Sequence, residues 1–212
     1  MTIKLYFAPN ACSLASHIAL EKIGQPYAVE QISLRDGEHR SERFTNINPK
    51  QQVPVLDVDG KILTEGPAIL TFLADHHPEA QLLPAVGTWQ RVRAIEWLTF
   101  VSTSIHGAFG VYFHPGSYLG DAAQADALKE NALNKINHLL TLAEARLEDQ
   151  PFLSGSFATV ADYYLYVTLR WLQAVAPGHL NRFPQLKALY VRIEALPEVN
   201  RALANEQLEK AA

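Results

Sequence analysis

Cysteine is almost missing from this chain. One residue of 212, Cys12, carries a thiol, so the chain can build no internal disulfide and run no dithiol cycle of its own. A cationic excess is missing too: 18 Lys and Arg stand against 22 Asp and Glu, a net charge of −4. That balance excludes the clustered positive charge with which proteins displace counterions from nucleic acid. No apolar run comes near the ~20 residues of a membrane span, and the first seven residues lack the hydrophobic stretch of a secretory signal. The expectation is a cytoplasmic protein that binds neither nucleic acid nor membrane. The eight His residues show no paired helical spacing and no Cys partner of the zinc kind, so no metal site is expected. Phosphate-loop and serine-nucleophile motifs are absent, and so are internal repeats.

What is present suffices for a real core: 48% of residues are hydrophobic and 19% charged, far from the composition that leaves chains disordered. In the first third, strand-like and helix-like runs alternate. Residues 3–7, Ile-Lys-Leu-Tyr-Phe, read as a strand. Residues 14–23 read as a helix stopped by Gly24, and 27–33 as a second strand, which makes a βαβ opening. A polar, part-helical stretch over 38–46 follows. The runs 53–58 and 61–64 then flank Asp59-Gly60, a pair that favours a tight type I′ hairpin. Residues 68–77, with Ile69, Leu70, Phe72 and Leu73, present a helix face.

Beyond residue 83 the pattern turns helical throughout. A Pro/Ala/Gly stretch looks like a linker, and one long helical pattern over 89–113 is broken by His114-Pro115-Gly116. A second helix is expected over 122–147. A third opens at Thr159-Val160-Ala161-Asp162 and runs to about 175, with Thr159 able to bind free amides and Asp162 reaching back. Two shorter ones are expected over 184–195 and 198–209. The predicted organisation is an α/β domain over 1–82, a linker over 83–88 and an all-α domain over 89–212.

Four places invite chemistry, each with a plainer alternative. Cys12 falls between the first strand and first helix, where free amides and the helix dipole favour an anion and push a thiol toward thiolate; the equal alternative is inert filler, since free Cys is among the most buried residue types. Val53-Pro54 reads as an edge-strand start, or as a cis peptide that turns the Val53 backbone outward to an extended ligand. Glu65-Gly66-Pro67 reads as a helix cap, or as a grip on an amino acid, with free amides for its carboxylate and Glu65 for its ammonium. Thr99, Thr103, His106 and Gly110 fall on one face of a uniform α-helix, either a solvated face or the lining of a crevice.

Taken together, Cys at a helix start, Val-Pro, then Glu-Gly at a helix cap and a helical second half resemble the cytosolic glutathione S-transferases, in detail the bacterial beta class. The resemblance runs through Ala11-Cys12-Ser13-Leu14, Ile47-Asn48-Pro49-Lys50, Gln52-Val53-Pro54, Leu63-Thr64-Glu65-Gly66, Ile95-Glu96-Trp97-Leu98 and Phe157-Ala158-Thr159-Val160-Ala161-Asp162. It implies a thioredoxin-like N-terminal domain, an all-helical C-terminal domain and a homodimer. It further implies an enzyme that takes glutathione as co-substrate, with no metal, and conjugates it to small hydrophobic electrophiles in detoxification. Thiol-disulfide exchange through Cys12 is the companion activity. By likeness, Cys12 stands at the glutathione sulfur with His106 nearby, Val53 before a cis Pro54 pairs with the peptide backbone, and Glu65 and Gly66 hold the γ-glutamyl end. Thr99, Thr103 and Ser104 occupy helix positions that reach the tripeptide. Thr99 replaces the family's Asn, Gly107 replaces a common Lys, and the loop after the second strand offers Arg35 as the nearest basic residue, with Gly37 aligned. Electrophile choice falls to the wall over 108–118 and Trp171. The alternatives are a non-catalytic binding protein of the same fold, or a glutathione-dependent dehalogenase or isomerase.

Overall fold

The computed structural model describes residues 1–209. Strand β1 (Ile3–Phe7) enters the molecule and alternates its side chains between two faces, as a strand must: Ile3, Leu5 and Phe7 join the main core, while Tyr6 turns to a smaller cluster with Ile32, Phe44 and Val55. Helix α1 (Ser13–Ile23) carries the chain back across the sheet, and Gly24 ends it in the left-handed region (φ 71°), its N–H donating to Leu20 O at 3.0 Å. Strand β2 (Ala28–Gln31) pairs parallel to β1 and is shorter than the run 27–33 suggests. The stretch after it resolves into a 3₁₀ turn, Glu38–Arg40, and helix α2 (Glu42–Ile47). Ser41 caps α2 by accepting from the Phe44 N–H at 3.2 Å. Strands β3 (Val55–Val58) and β4 (Lys61–Thr64) form the expected hairpin, with positive φ at both Asp59 and Gly60 (50° and 82°), as a type I′ turn demands. The sheet order is β2-β1-β3-β4, with β3 antiparallel to both neighbours. Helix α3 (Gly66–His76) starts two residues before the apolar pattern does, because Pro67 occupies its first turn.

The helical half begins with α4 (Trp89–Phe100), capped by Thr88, whose hydroxyl accepts from the Arg91 N–H at 3.3 Å. It passes through a π turn, Val101–Ile105, into α5 (His106–Phe113). The single long helix read from sequence is thus a rod with a π-helical interruption. Helix α6 (Ala125–Arg146) follows, then α7 (Val160–Val175), α8 (Pro184–Glu194) and α9 (Pro197–Asn205). The last stops short of the expected 209.

Helix α7 is the centre of the molecule. From Val160 to Leu169 every residue is buried. One continuous core joins Leu5 and Phe7 of β1, Leu14 and Ile18 of α1 and Ile69, Leu70 and Leu73 of α3 to Leu98 of α4 and Leu165 and Leu169 of α7. The two sequence domains therefore share a core. Such a helix needs its free N-terminal amides satisfied internally, since water cannot reach them. Asp162, itself buried, accepts from Thr159 N–H and Thr159 Oγ1 at 2.8 Å each and from Leu153 N–H at 2.8 Å. Burial pushes its carboxyl up to about 6 while those three donors pull it down, so it is ionised at neutral pH. Replacing Asp162 by Ala strands three buried donors and is expected to cost about 3 kcal/mol, read as a lowered urea midpoint with unchanged slope.

Candidate active site

The turn between β1 and α1 brings the two halves of the chain together. Ser13 closes it locally, its hydroxyl accepting from Ala8 N–H and donating to Ala8 O at 3.2 Å each. Asn10 stands at its tip in the left-handed region (φ 56°), which a short amide side chain tolerates. The helical half grips Asn10 from three directions. Trp171 Nε1 donates to Asn10 O at 2.7 Å, Arg170 Nε donates to Asn10 Oδ1 at 3.0 Å, and the Asn10 N–H donates to Glu206 Oε2 at 3.0 Å. The other Glu206 oxygen meets His17 Nδ1 at 2.9 Å, with both side chains fully buried.

Cys12, the next residue but one, occupies the N-cap of α1 and is half-buried. Its Sγ donates to the carbonyl of Val53 at 3.3 Å, and the Val53-Pro54 peptide is cis. The Tyr164 hydroxyl of α7 acts on the Cys12 thiol, pulling its pKa down, while the thiol in turn pushes the phenol up. The same Tyr164 hydroxyl lies 2.7 Å from His106 Nδ1, and its ring lies 3.5 Å from where a β-carbon on Gly66 would stand. Glu65, the N-cap of α3, holds φ 72° and ψ 114°, a sparsely populated region for a residue with a side chain. Such conformations cost of order 1–3 kcal/mol and gather at functional sites. Its carboxylate is open to solvent and faces Lys50 Nζ at 2.6 Å, while Lys50 also donates to Thr64 Oγ1 at 2.9 Å. Cys12, Val53, Pro54, Glu65, Gly66 and His106 thus converge on one place.

One expectation is corrected here. The helix start was expected to push Cys12 toward thiolate. Burial instead pushes the thiol up, to about 11, outweighing the hydrogen bonds from Tyr164 and from the amides of Cys12 and Ser13, and the Glu65 charge adds to the rise. The bond to Val53 agrees, because only a protonated sulfur can donate to a carbonyl. The stretch that carries Thr103 and Ser104, Val101–Ile105, is a π turn, which takes more residues per turn than an α-helix. Thr99 and Thr103 are exposed and bonded to each other, Thr103 Oγ1 donating to Thr99 O at 2.9 Å; Ser104 is half-buried beside them. Arg35 is exposed in the loop before Gly37, and no hydrogen bond among the described residues holds it at the site.

His106 is lowered to about 4 by burial and is therefore neutral at neutral pH. Its ring meets Trp171 edge-on at 4.9 Å between centroids, and Trp171 in turn meets Phe109 at 5.5 Å and Phe113 at 5.9 Å. An aromatic wall therefore continues from the imidazole along α5. Sequence reasoning missed Tyr164, Asn10, Glu206 and Lys50 as parts of the site. Tyr164 left a signal: a phenol two residues after a capping Asp, in a helix apolar enough to be buried all round, must find a polar partner.

A small mixed sheet carrying a thiol at its first helix start, with a helical domain closing over that thiol, defines a two-domain protein of the thioredoxin-like class. Family models agree in detail: residues 1–75 match the glutathione S-transferase N-terminal domain and residues 97–197 the C-terminal domain. Glutathione S-transferase GstA of Escherichia coli O157:H7 is 34% identical over 209 residues, 98% of this chain and 100% of that one. A bacterial beta class glutathione S-transferase from Sphingomonas chungbukensis superposes with a TM-score of 0.84 at 36% identity, covering 97% of this chain and all of its own. A sphingomonad glutathione S-transferase complexed with glutathione gives 0.84 at 34%, with the same coverage. The chain belongs to the glutathione S-transferase family, and its likeness is to the bacterial beta class.

Because Cys12 is the sole cysteine, its titration can be followed without interference. Alkylation by iodoacetamide is expected to be slow at pH 7 and still climbing between pH 9 and pH 11, whereas an ordinary thiol, with a pKa of about 8.5, levels off by about pH 9.5. A plateau at or below pH 8 would show the opposite shift.

Proposed function

We propose that this enzyme conjugates the thiol of reduced glutathione to small hydrophobic electrophiles at the junction of its two domains, and exchanges glutathione with disulfides through Cys12. The observation that carries the reading is the convergence of Cys12, the Val53 backbone, the Glu65-Gly66 helix start and His106 on one crevice. Each part suits one part of the tripeptide. The Val53 N–H has no acceptor among the described residues, and with the Val53 carbonyl it supports an extended peptide backbone. The free amides of the first turn of α3 take the γ-glutamyl carboxylate. Glu65 takes the ammonium, which displaces Lys50 from it, as one cation replaces another. This arrangement sets the cysteinyl sulfur against Cys12, with Thr99, Thr103 and Ser104 on the helical side.

In conjugation the glutathione sulfur loses its proton and attacks the electrophilic carbon, displacing the leaving group or adding across a polarised double bond. A thiolate does this where a thiol does not. The Trp171, Phe109 and Phe113 wall supports a hydrophobic electrophile beside that sulfur. In exchange, Cys12 forms a mixed disulfide with one half of an oxidised glutathione and the other half leaves as the thiol. We place the enzyme in the cytoplasm, in detoxification; no described helix is long and apolar enough to cross a membrane. A homodimer is supported by the apolar side chains that edge strand β4 and helix α4 leave exposed, Ile62, Val92 and Ile95, and sedimentation is expected to give twice 23.6 kDa.

The test is a panel of electrophiles and glutathione mixed disulfides assayed with and without reduced glutathione. Turnover indifferent to glutathione refutes the reading. Cys12→Ala is expected to abolish the mass increase seen after oxidised-glutathione treatment while retention on glutathione resin survives. Glu65→Ala is expected to weaken glutathione binding by about tenfold to a hundredfold, the worth of one charged hydrogen-bonded contact, measured by titration calorimetry.

A further inference from the structure

Two of the tyrosines of α7 tie helix to helix: Tyr163 donates to Glu198 at 2.9 Å and Tyr166 to Glu194 at 3.0 Å. Tyr164 does neither. It is buried, its ring packs over Gly66, and its hydroxyl lies 2.7 Å from His106 Nδ1. We propose that Tyr164 is a positioning residue for conjugation: by donating to His106 Nδ1 it fixes the imidazole as the tautomer whose hydrogen sits on Nε2, where it meets the glutathione sulfur. The assignment rests on the transferase reading above.

The direction of that hydrogen bond follows from what each group has to give. A phenol has one hydrogen, and in a buried hydroxyl that hydrogen must find an acceptor. An imidazole nitrogen is a good acceptor and a thiol sulfur a weak one; Cys12 directs its own hydrogen to Val53 O at 3.3 Å. Burial also pushes the Tyr164 phenol well above its ordinary range, so it keeps its hydrogen, and holds His106 down at about 4, so the ring is neutral. A neutral imidazole carries a single hydrogen. With Nδ1 accepting, that hydrogen is on Nε2.

The ring is held in place as well as in tautomer. It meets Trp171 edge-on at 4.9 Å between centroids, and the Trp171 indole is tied to Asn10 O at 2.7 Å. Nε2 has no hydrogen-bond partner among the described residues and is open to solvent, so its hydrogen is available to a ligand. A neutral imidazole that presents an N–H to sulfur is a donor and not a base. As glutathione binds, its thiol gives its proton to solvent, and the Nε2 hydrogen bonds the thiolate while staying on nitrogen. The thiolate then attacks the electrophilic carbon, the leaving group departs with its bonding pair, and His106 ends as it began. Tyr164 acts through His106.

Nitrogen-15 correlation spectra of the free protein read the tautomer, with the His106 signals assigned by their loss in His106→Leu. The wild-type ring is expected to be protonated on Nε2, and Tyr164→Phe to mix the two tautomers. Thiolate absorbance of bound glutathione across pH then reads the thiol itself. His106→Leu is expected to raise its pKa by about one unit, a tenfold loss of kcat at pH 7, and Tyr164→Phe to raise it by less. KM for glutathione is expected to change far less than kcat, because Val53, Glu65 and Gly66 still hold the peptide. In the double variant Tyr164→Phe is expected to add nothing to His106→Leu. A wild-type ring protonated on Nδ1, a thiol pKa unmoved by Tyr164→Phe, or a Tyr164→Phe loss that persists beside His106→Leu overturns the assignment. Should Tyr164→Phe fail to fold, the wild-type tautomer decides alone. The spectra need no glutathione, so the two readings fail separately. A ring protonated on Nδ1 leaves glutathione-dependent turnover intact; a failed transferase reading leaves the Nε2 tautomer without that turnover.

Discussion

The grip of helix α7 on the β1–α1 turn is the constraint on which the rest depends. Through Asn10 it joins Arg170 and Trp171 to the loop that carries Cys12, and through Tyr164 it holds His106. Both contacts come from one rigid helix whose register is fixed by the Asp162 cap and by burial along its length. A shift of one turn along α7 would remove both together. The cap therefore fixes where Tyr164, Arg170 and Trp171 stand, although Asp162 itself lies away from the sulfur's partners. Glu206 extends the same grip from the end of the chain by holding Asn10 and His17 at once.

Burial sets the charge state of the two ionisable groups at the site. A sulfur at a helix start meets amides that favour its anion, yet here burial wins and the thiol stays protonated. The imidazole is held neutral by the same cause. Glu65 contributes strain as well as charge: its unusual backbone is held by β4 on one side and the first turn of α3 on the other, and it aims the carboxylate outward to Lys50. That surface pair is half open to solvent, so it is weakly held and easily exchanged for an incoming ammonium.

Much of this was legible in the sequence, for reasons that are local. Gly24, Asp59-Gly60, Pro67 and Thr159 with Asp162 each impose their backbone geometry on their immediate neighbours, and each stands where it was expected to stand. Resemblance added the cis Val53-Pro54 bond and the convergence of Cys12, Glu65 and His106, which no local rule supplies. What stayed hidden is long-range. Tyr164 and Asn10 are separated from their partners by more than fifty residues, and the direction of the Cys12 shift depends on how deeply other elements cover it. The π turn at Val101–Ile105 was equally invisible, because its residues satisfy an α-helical pattern as well as they satisfy the wider one.

The central claim is that a single crevice between the two domains holds the tripeptide and presents its sulfur to Cys12 and Tyr164. A crystal structure with reduced glutathione tests it most directly. The account predicts the peptide backbone paired with Val53, the γ-glutamyl end at Glu65 and Gly66, and the sulfur within about 3–4 Å of Cys12 Sγ or Tyr164 Oη, the reach of a hydrogen bond involving sulfur. A tripeptide bound elsewhere, or one whose sulfur points away from both groups, would contradict it.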